Sequence, residues 1–366
     1  MKNNSHTQNG SPSRIVRFPS DVSIGNVALY GPRSTLTPFN LYFGDDDPTK
    51  QDSFDDVKEI ENIRGELVVP NGTTISLGIY HDSKLPFLAT LAPDSLDALY
   101  FANSVLADEI PDIGHFTRLR YLGLSKYCGT DHSLNRVSKI RSLTHLLLNR
   151  CEEVTDLGFS YLSELSSLSH ISCRGTTISG TGLAFLADSP SLHFLDLSDA
   201  TSLTDDGLAN LSKLVSISHL DLSLTGASDR TLSHISKIKS LATLKLACSQ
   251  ITDEGLAYLS ELSSLSYLDL TEAPINGSGF VYLTNLTELS SLMLFGSTIT
   301  DDSLLHLSQI KSLKHLWLGE TTISDNGVQY LSNLTSLKEL SLPSFGVSET
   351  AIRELRSILP DCHIWN

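Results

Sequence analysis

Residues 241–264 read Leu241-Ala242-Thr243-Leu244-Lys245-Leu246-Ala247-Cys248-Ser249-Gln250-Ile251-Thr252-Asp253-Glu254-Gly255-Leu256-Ala257-Tyr258-Leu259-Ser260-Glu261-Leu262-Ser263-Ser264, and this stretch decides the fold. Its first half alternates, Leu244 and Leu246 pointing one way and Thr243, Lys245 and Ala247 the other, which is the two-residue period of a β-strand. In the second half Leu256, Leu259 and Leu262 recur every third residue, the stripe of a short helix. Between the halves Thr252 stands as an N-cap and Asp253 follows in the first turn. There a hydroxyl and a negative charge satisfy free N–H groups and the helix dipole.

The same Leu-x-x-Leu-x-Leu frame, or a close variant, begins at Leu96, Leu119, Leu143, Leu168, Leu192, Ile217, Leu241, Leu265, Leu289, Leu313 and Leu337, in steps of 23 to 25 residues. One such coil cannot bury both its leucines and its helix stripe. Stacked coils can, with their strands lined up in a parallel sheet about 4.8 Å apart. Strands take less lateral room than helices, so the pattern predicts an α/β solenoid over 96–366, its curved parallel sheet concave and its short helices convex. Leu355 to Asn366 predicts a last helix and one short strand acting as a cap, with Trp365 over the final coil.

These units resemble the leucine-rich-repeat family, and more narrowly the bacterial GALA-type and F-box-associated repeats, whose second half reads Ile-Thr-Asp-x-Gly-Leu. Ile251 to Leu256 and Leu203 to Leu208 carry that half, and Val154 to Phe159, Ile299 to Leu304 and Ile323 to Val328 are looser copies. The resemblance covers about residues 96 to 366. It implies a right-handed solenoid and a non-enzymatic module that binds a protein or peptide. An alternative it also implies is an adaptor or effector presenting a bound target to a separate enzyme such as a ubiquitin ligase. Against that alternative, Leu85-Pro86 lies only nine residues before Leu96, too few for a three-helix F-box.

Residues 1–14 are polar and Gly/Ser/Asn-rich and predict a disordered tail. Residues 15–95 predict a β-rich N-terminal cap, with strands at Ile15–Phe18, Val22–Tyr30, Leu41–Phe43, Glu66–Val69 and Thr74–Tyr80 between turn clusters such as Gly44–Pro48. Leu77, Ile79, Leu88 and Leu91 predict a shortened coil ahead of Leu96. Asp45, Asp46 and Asp47 are consecutive, lack the alternation and distal glutamate of a calcium loop, and give no metal site.

Over the whole 366 residues, 26 Lys and Arg stand against 42 Asp and Glu, a net charge of −16 that disfavours phosphate backbones and anionic lipid surfaces. No nucleic acid and no membrane are expected as partners. No apolar run reaches the roughly 20 residues that cross a bilayer, and the N-terminus has no signal-peptide core. Five scattered cysteines, Cys128, Cys151, Cys173, Cys248 and Cys362, suit reduced thiols. A cytoplasmic location is therefore expected.

No catalytic signature is present: there is no phosphate-binding Gly-x-x-x-x-Gly-Lys-Ser/Thr, no Gly-x-Ser-x-Gly and no His-Glu-x-x-His. An enzyme with a site in the β-rich cap is the weakest function, since no nucleophile and base can be named there, and no cofactor is expected. The recurring Gly158, Gly182, Gly207, Gly255, Gly279 and Gly327 fit close coil packing. Asp156, Asp205, Asp229, Asp253, Asp301 and Asp325 fit helix-start charges on the rim. What remains is the sheet surface, where the period displays His170, Phe194, His219, Tyr267 and His315 in one column and Asp196, Asp221, Asp269, Met293 and Trp317 in the next, with Phe295 beyond. A core does not require aromatic residues at such positions. Clustered Tyr267, Met293, Phe295 and Trp317 are the side chains of protein-binding hot spots, and the three aspartates predict a partner carrying basic residues. Four histidines in the first column, His145 among them, lack an evident supporting carboxylate, and no metal is expected.

Overall fold

A computed structural model describes residues 14–20, 26–30, 57–61, 64–79, 85–102 and 105–366. The expected tail up to residue 13, the strand at Leu41–Phe43 and the Gly44–Pro48 turn with its three aspartates lie outside the described residues, whereas Arg14 already belongs to a strand. The chain divides into two compact units, the first ending at Leu147 and the second starting at Leu148.

In the first unit, β1 (Arg14–Phe18) and β4 (Gly65–Val69) form an antiparallel pair. A second sheet places β2 (Asn26–Tyr30) between β3 (Val57–Ile60) and β5 (Thr74–Ile79), antiparallel to both. From β5 onward the pairing turns parallel, through β6 (Ala98–Phe101) and β7 (Tyr121–Gly123) to β8 (His145–Leu147). After β5, a 3-10 turn at Leu85–Thr90 buries Leu85, Phe87 and Leu88. One charge pair, Arg14 with Asp97, ties β1 to the segment ahead of β6, and Arg118 supplies a second cation to the same carboxylate. The buried carboxylate of Asp97 accepts from Arg14, from Arg118 at 3.0 and 3.1 Å and from the Ile75 backbone N–H at 3.0 Å, so its charge is taken up inside the unit.

The second unit repeats one coil. Its strands are β9 (His170–Ser172), β10 (Phe194–Asp196), β11 (His219–Asp221), β12 (Thr243–Lys245), β13 (Tyr267–Asp269), β14 (Ser291–Met293), β15 (His315–Trp317), β16 (Glu339–Ser341) and β17 (His363–Trp365). Each runs parallel to the next in unbroken register. The middle residue of every strand, from Ile171 through Leu268 to Ile364, is buried, and short helices such as Asp229–Ile235, Asp301–Leu307 and Asp325–Leu331 close the coils.

From β8 through β15 each coil turns just past its strand on a residue in the left-handed region. Arg150, Asp199, Leu224, Cys248, Glu272 and Glu320 have φ between 55° and 60°, with Gly175 and Gly296 at the equivalent positions. A side chain there costs roughly 1 kcal/mol. The conformation aims the backbone N–H at the next coil, as from Leu224 to the Ala247 carbonyl and from Cys248 to that of Thr271, each at 2.8 Å. The hydrogen bond offsets the strain.

The aspartates at the helix starts do more than complement their own dipoles. Asp156 accepts from the N–H groups of Ser179 and Gly182, Asp229 from the N–H and hydroxyl of Thr252, Asp301 and Asp325 from those of Ser324 and Ser348, all in the following coil. Asp253 takes three, from Asn276, Gly277 and Gly279. Thr252 and Asp253 therefore do not cap their own turn as expected. Thr252 is held by the preceding Asp229, and Gly255–Leu259 starts without a side-chain cap. Capping within the coil does occur at Thr204 and Ser348, whose hydroxyls accept from Gly207 and Ala351. At two positions in this series glycine replaces aspartate, Gly180 and Gly277, both with φ of 92°. Among the described residues, no carboxylate at these two positions reaches on to the next coil.

The recurring glycine is a matter of packing. A Cβ on Gly207 would lie 1.9 Å from the Ser179 carbonyl oxygen and one on Gly279 2.3 Å from that of Asp253. At the end of the unit, Ile364 continues the buried ladder while Trp365 stands beside Ser341 in the third-residue column.

Candidate functional site

Strand geometry places the first and third residues of β9–β17 on the sheet face opposite the buried middle residue. Toward the start of the unit the first-residue column is a stack of rings. His170 and Phe194 lie 5.4 Å apart at 27°, Phe194 and His219 6.0 Å apart at 28°. Ser169 and Ser218 hydroxyls sit 2.8 Å from the Nδ1 atoms of His170 and His219 and hold those rings in place.

Beside the stack runs a charged column, Asp196, Asp221, Lys245 and Asp269 on four consecutive strands. Asp196, Asp221 and Asp269 each accept from a backbone N–H two residues on, those of Ser198, Ser223 and Thr271, at 2.9 Å, which fixes the carboxylates against the sheet. Asp196 also accepts the Ser172 hydroxyl at 2.7 Å. Burial, then the facing charge of Asp196, pushes the Asp221 carboxyl up to about 6, with Asp269 adding to the effect and the Ser223 donors opposing it. Lys245 is drawn down by burial, and the Asp269 charge counters that.

Past Asp269 the face becomes apolar. The Tyr267 hydroxyl donates to Met293 Sδ, and Met293 pairs in register with Asp269 on one side and Trp317 on the other. Burial, followed by the charges of Asp269 and Asp221, raises the Tyr267 phenol, so it stays a neutral donor. Phe295 is 41% exposed and its ring lies over Gly319, where a Cβ would come within 2.8 Å of it. His315 stacks on Trp317 at 5.9 Å and 15°, with its Nδ1 2.9 Å from Glu339 Oε2.

Tyr267, Met293, Phe295, Trp317 and His315 thus come together in one patch. Asp196, Asp221 and Asp269 form one column with Lys245 inserted, and His170, Phe194 and His219 form a separate stack. Period placed Glu339 after His315 in the first column without showing that it holds that ring, and it left out two contributors: Gly319, which makes room for the Phe295 ring, and Trp365, which continues the third-residue column. In the first unit the period puts Gly123 and Leu147 in the same solvent-facing column as Asp196, and there the structure differs. Leu147 is buried with Ala98 and Tyr100, and the Tyr100 ring occupies the space over Gly123.

Among the described residues no three His, Cys, Asp or Glu side chains stand together to hold a metal ion, and no helix is long and apolar enough to cross a membrane. Cys128, Cys151, Cys173 and Cys362 are buried thiols, and Cys248 is half-buried.

A family model described as Leucine Rich repeat matches residues 188–212 and 237–260. No curated protein sequence matches the chain. Among solved structures, an internalin (inlF) from Listeria monocytogenes superposes with a TM-score of 0.52 at 24% identity, covering 69% of this chain and 78% of its own. TLR13, in a complex with ssRNA13, gives a TM-score of 0.55 at 20% identity over 73% of this chain and 41% of its own. A Leptospira interrogans LRR protein gives 0.47 at 19% identity, over 80% and 89%. With the 24-residue coils, the parallel ladder and the family match, the two superpositions above a TM-score of 0.5 make the fold an α/β leucine-rich-repeat solenoid.

Proposed function

We propose that the protein is a non-enzymatic interaction module that holds a protein or peptide on the sheet face of its second unit. Leucine-rich repeats in general serve protein–protein interaction. The observation that carries the proposal is the Tyr267, Met293, Phe295 and Trp317 patch: Leu268, Leu292 and Leu316 between these side chains already fill the core, so stability does not explain them. Asp196, Asp221 and Asp269 beside the patch favour basic residues in the partner. The same carboxylates and the net charge of −16 oppose a nucleic-acid ligand of the kind TLR13 holds. That none of the five cysteines forms a disulfide is consistent with a reducing compartment such as a bacterial cytoplasm.

The test is capture from a native extract with wild type beside Trp317→Ala. Loss of this anchor should weaken binding by about 2 kcal/mol or more while stability hardly changes. Asp221→Asn should slow association and flatten its salt dependence. Equal capture by Trp317→Ala removes the patch from the function. The narrower kinship with F-box-associated repeats rests on the Ile-Thr-Asp-x-Gly-Leu half-units, and a ubiquitin-ligase component among the captured proteins would favour the adaptor role.

A further inference from the structure

The sheet face carries two chemically different places at a fixed separation. One is Asp196 and Asp221 beside the Phe194 ring, the other Met293 and Trp317 with Phe295. We propose that the ligand is an extended peptide segment bearing an arginine and, four or six residues away in either chain direction, a large apolar side chain. This rests on the sheet-face function above and specifies its ligand.

The register sets the separation. Asp221 on β11 lies three strands from Met293 on β14 and four from Trp317 on β15. At about 4.8 Å per strand these gaps are about 14 and about 19 Å, which an extended chain rising about 3.3 Å per residue spans in about four and about six residues. Extended side chains alternate in direction, so an even offset presents both groups to the sheet and an odd one turns one of them away.

Arginine suits the first place better than lysine. Two neighbouring carboxylates, each already oriented by a backbone N–H, offer a planar fork acceptors on adjacent strands. A guanidinium carries its N–H groups in one plane and reaches both carboxylates at once, which a lysine ammonium does not. Lys245, one strand beyond Asp221, repels a cation placed nearer the apolar patch and so fixes which carboxylates the arginine takes. At the second place, Phe295 rests on Gly319 and Met293 is held by Tyr267, leaving a bed of aromatic and thioether surface that an apolar side chain can cover.

The experiment uses the full chain carrying Trp365→Phe, so that fluorescence reports Trp317, and synthetic Ser/Ala peptides with one arginine and one leucine at offsets from 2 to 13. Offsets of 4 and 6 should bind at least tenfold more tightly than 3 and 5. Arginine→glutamine in the peptide should weaken binding to wild type at least tenfold and leave binding to Asp196→Asn/Asp221→Asn unchanged. The double variant keeps the hydrogen-bonding shape of both side chains, and its circular dichroism confirms folding. Equal affinity at all offsets overturns the proposal, as does no binding at any offset, and so does a maximum at about 9 to 13, the offset of a helical ligand at 1.5 Å per residue. In those cases the sheet-face function still stands if Trp317→Ala loses the captured partner, and falls with the proposal if it does not.

Discussion

Replacing Asp253 by alanine removes the acceptor of three backbone N–H groups in the following coil, at 2.8 Å for Asn276, 2.9 Å for Gly277 and 2.8 Å for Gly279. Asn276 is exposed and can turn to water, whereas the bonds from Gly277 and Gly279 are buried. A hydrogen bond to an ionised acceptor contributes about 1.5–3 kcal/mol, so two buried donors left without one should lower stability by about 3–6 kcal/mol, toward the lower end if a water enters the space. Asp253→Asn makes an internal control. Both buried donors share Oδ1, which an asparagine can still supply, while its NH2 group would face the Asn276 N–H, so the loss should be about half as large or less. Equilibrium denaturation gives the free energies, and hydrogen exchange at Gly277 and Gly279 shows whether the loss is local. A loss below about 1 kcal/mol in the alanine variant, with both amides still protected, would refute the view that these carboxylates tie one coil to the next.

The raised Asp221 carboxyl also has a thermodynamic signature. Its folded value of about 6 lies above the 3.8 of the free group, so between pH 4 and 6 the folded chain keeps a proton that the unfolded chain releases. Stability should therefore fall as pH rises through that window, by about 3 kcal/mol in all, and Asp221→Asn should remove the slope; an unchanged slope assigns the titration elsewhere. Deleting 338–366 strips β16 and β17 from Leu316 and should lower solubility markedly; a truncated chain as soluble and stable as the full one would show that these strands are no cap. Thermal melts with and without a thiol reductant should agree within about 2 °C, since none of the five cysteines forms a disulfide, and a large drop in reductant would contradict that.

The leucine period was legible because burial is periodic: each leucine at a strand centre must face the core, and a 24-residue repeat leaves no other assignment. Hydrogen-bond partners were not legible to the same degree. A threonine and aspartate before a helical stripe read as a cap for that stripe, which holds at Thr204 and fails at Thr252, because stacking brings the next coil's N–H groups as near to the carboxylate as its own. The strand Val57–Ile60 escaped notice because Lys58 and Glu59, both exposed, hide its alternation. In the candidate site the period named the columns, and it could not show that Phe295 depends on Gly319 one coil further on, nor that Leu147 is covered.

The two glycines that interrupt the aspartate series divide the second unit into segments of unequal cohesion. Between Gly180 and Gly277, Asp205, Asp229 and Asp253 fasten consecutive coils, so β10 to β13 behave as one plate; Asp301 and Asp325 fasten the coils that follow. The joint between the plates runs between β13 and β14, so Asp196, Asp221 and Asp269 ride on one plate and Met293, Phe295 and Trp317 on the other. The acidic and apolar places therefore lie on different plates, and across the joint run the Tyr267 to Met293 contact and the hydroxyls of Ser290, Ser297 and Thr298, which donate to the carbonyls of Ser266, Leu270 and Ile275. The spacing between the two places is thus held by strand pairing and hydroxyl contacts at this joint, with no carboxylate tie from the position of Gly277.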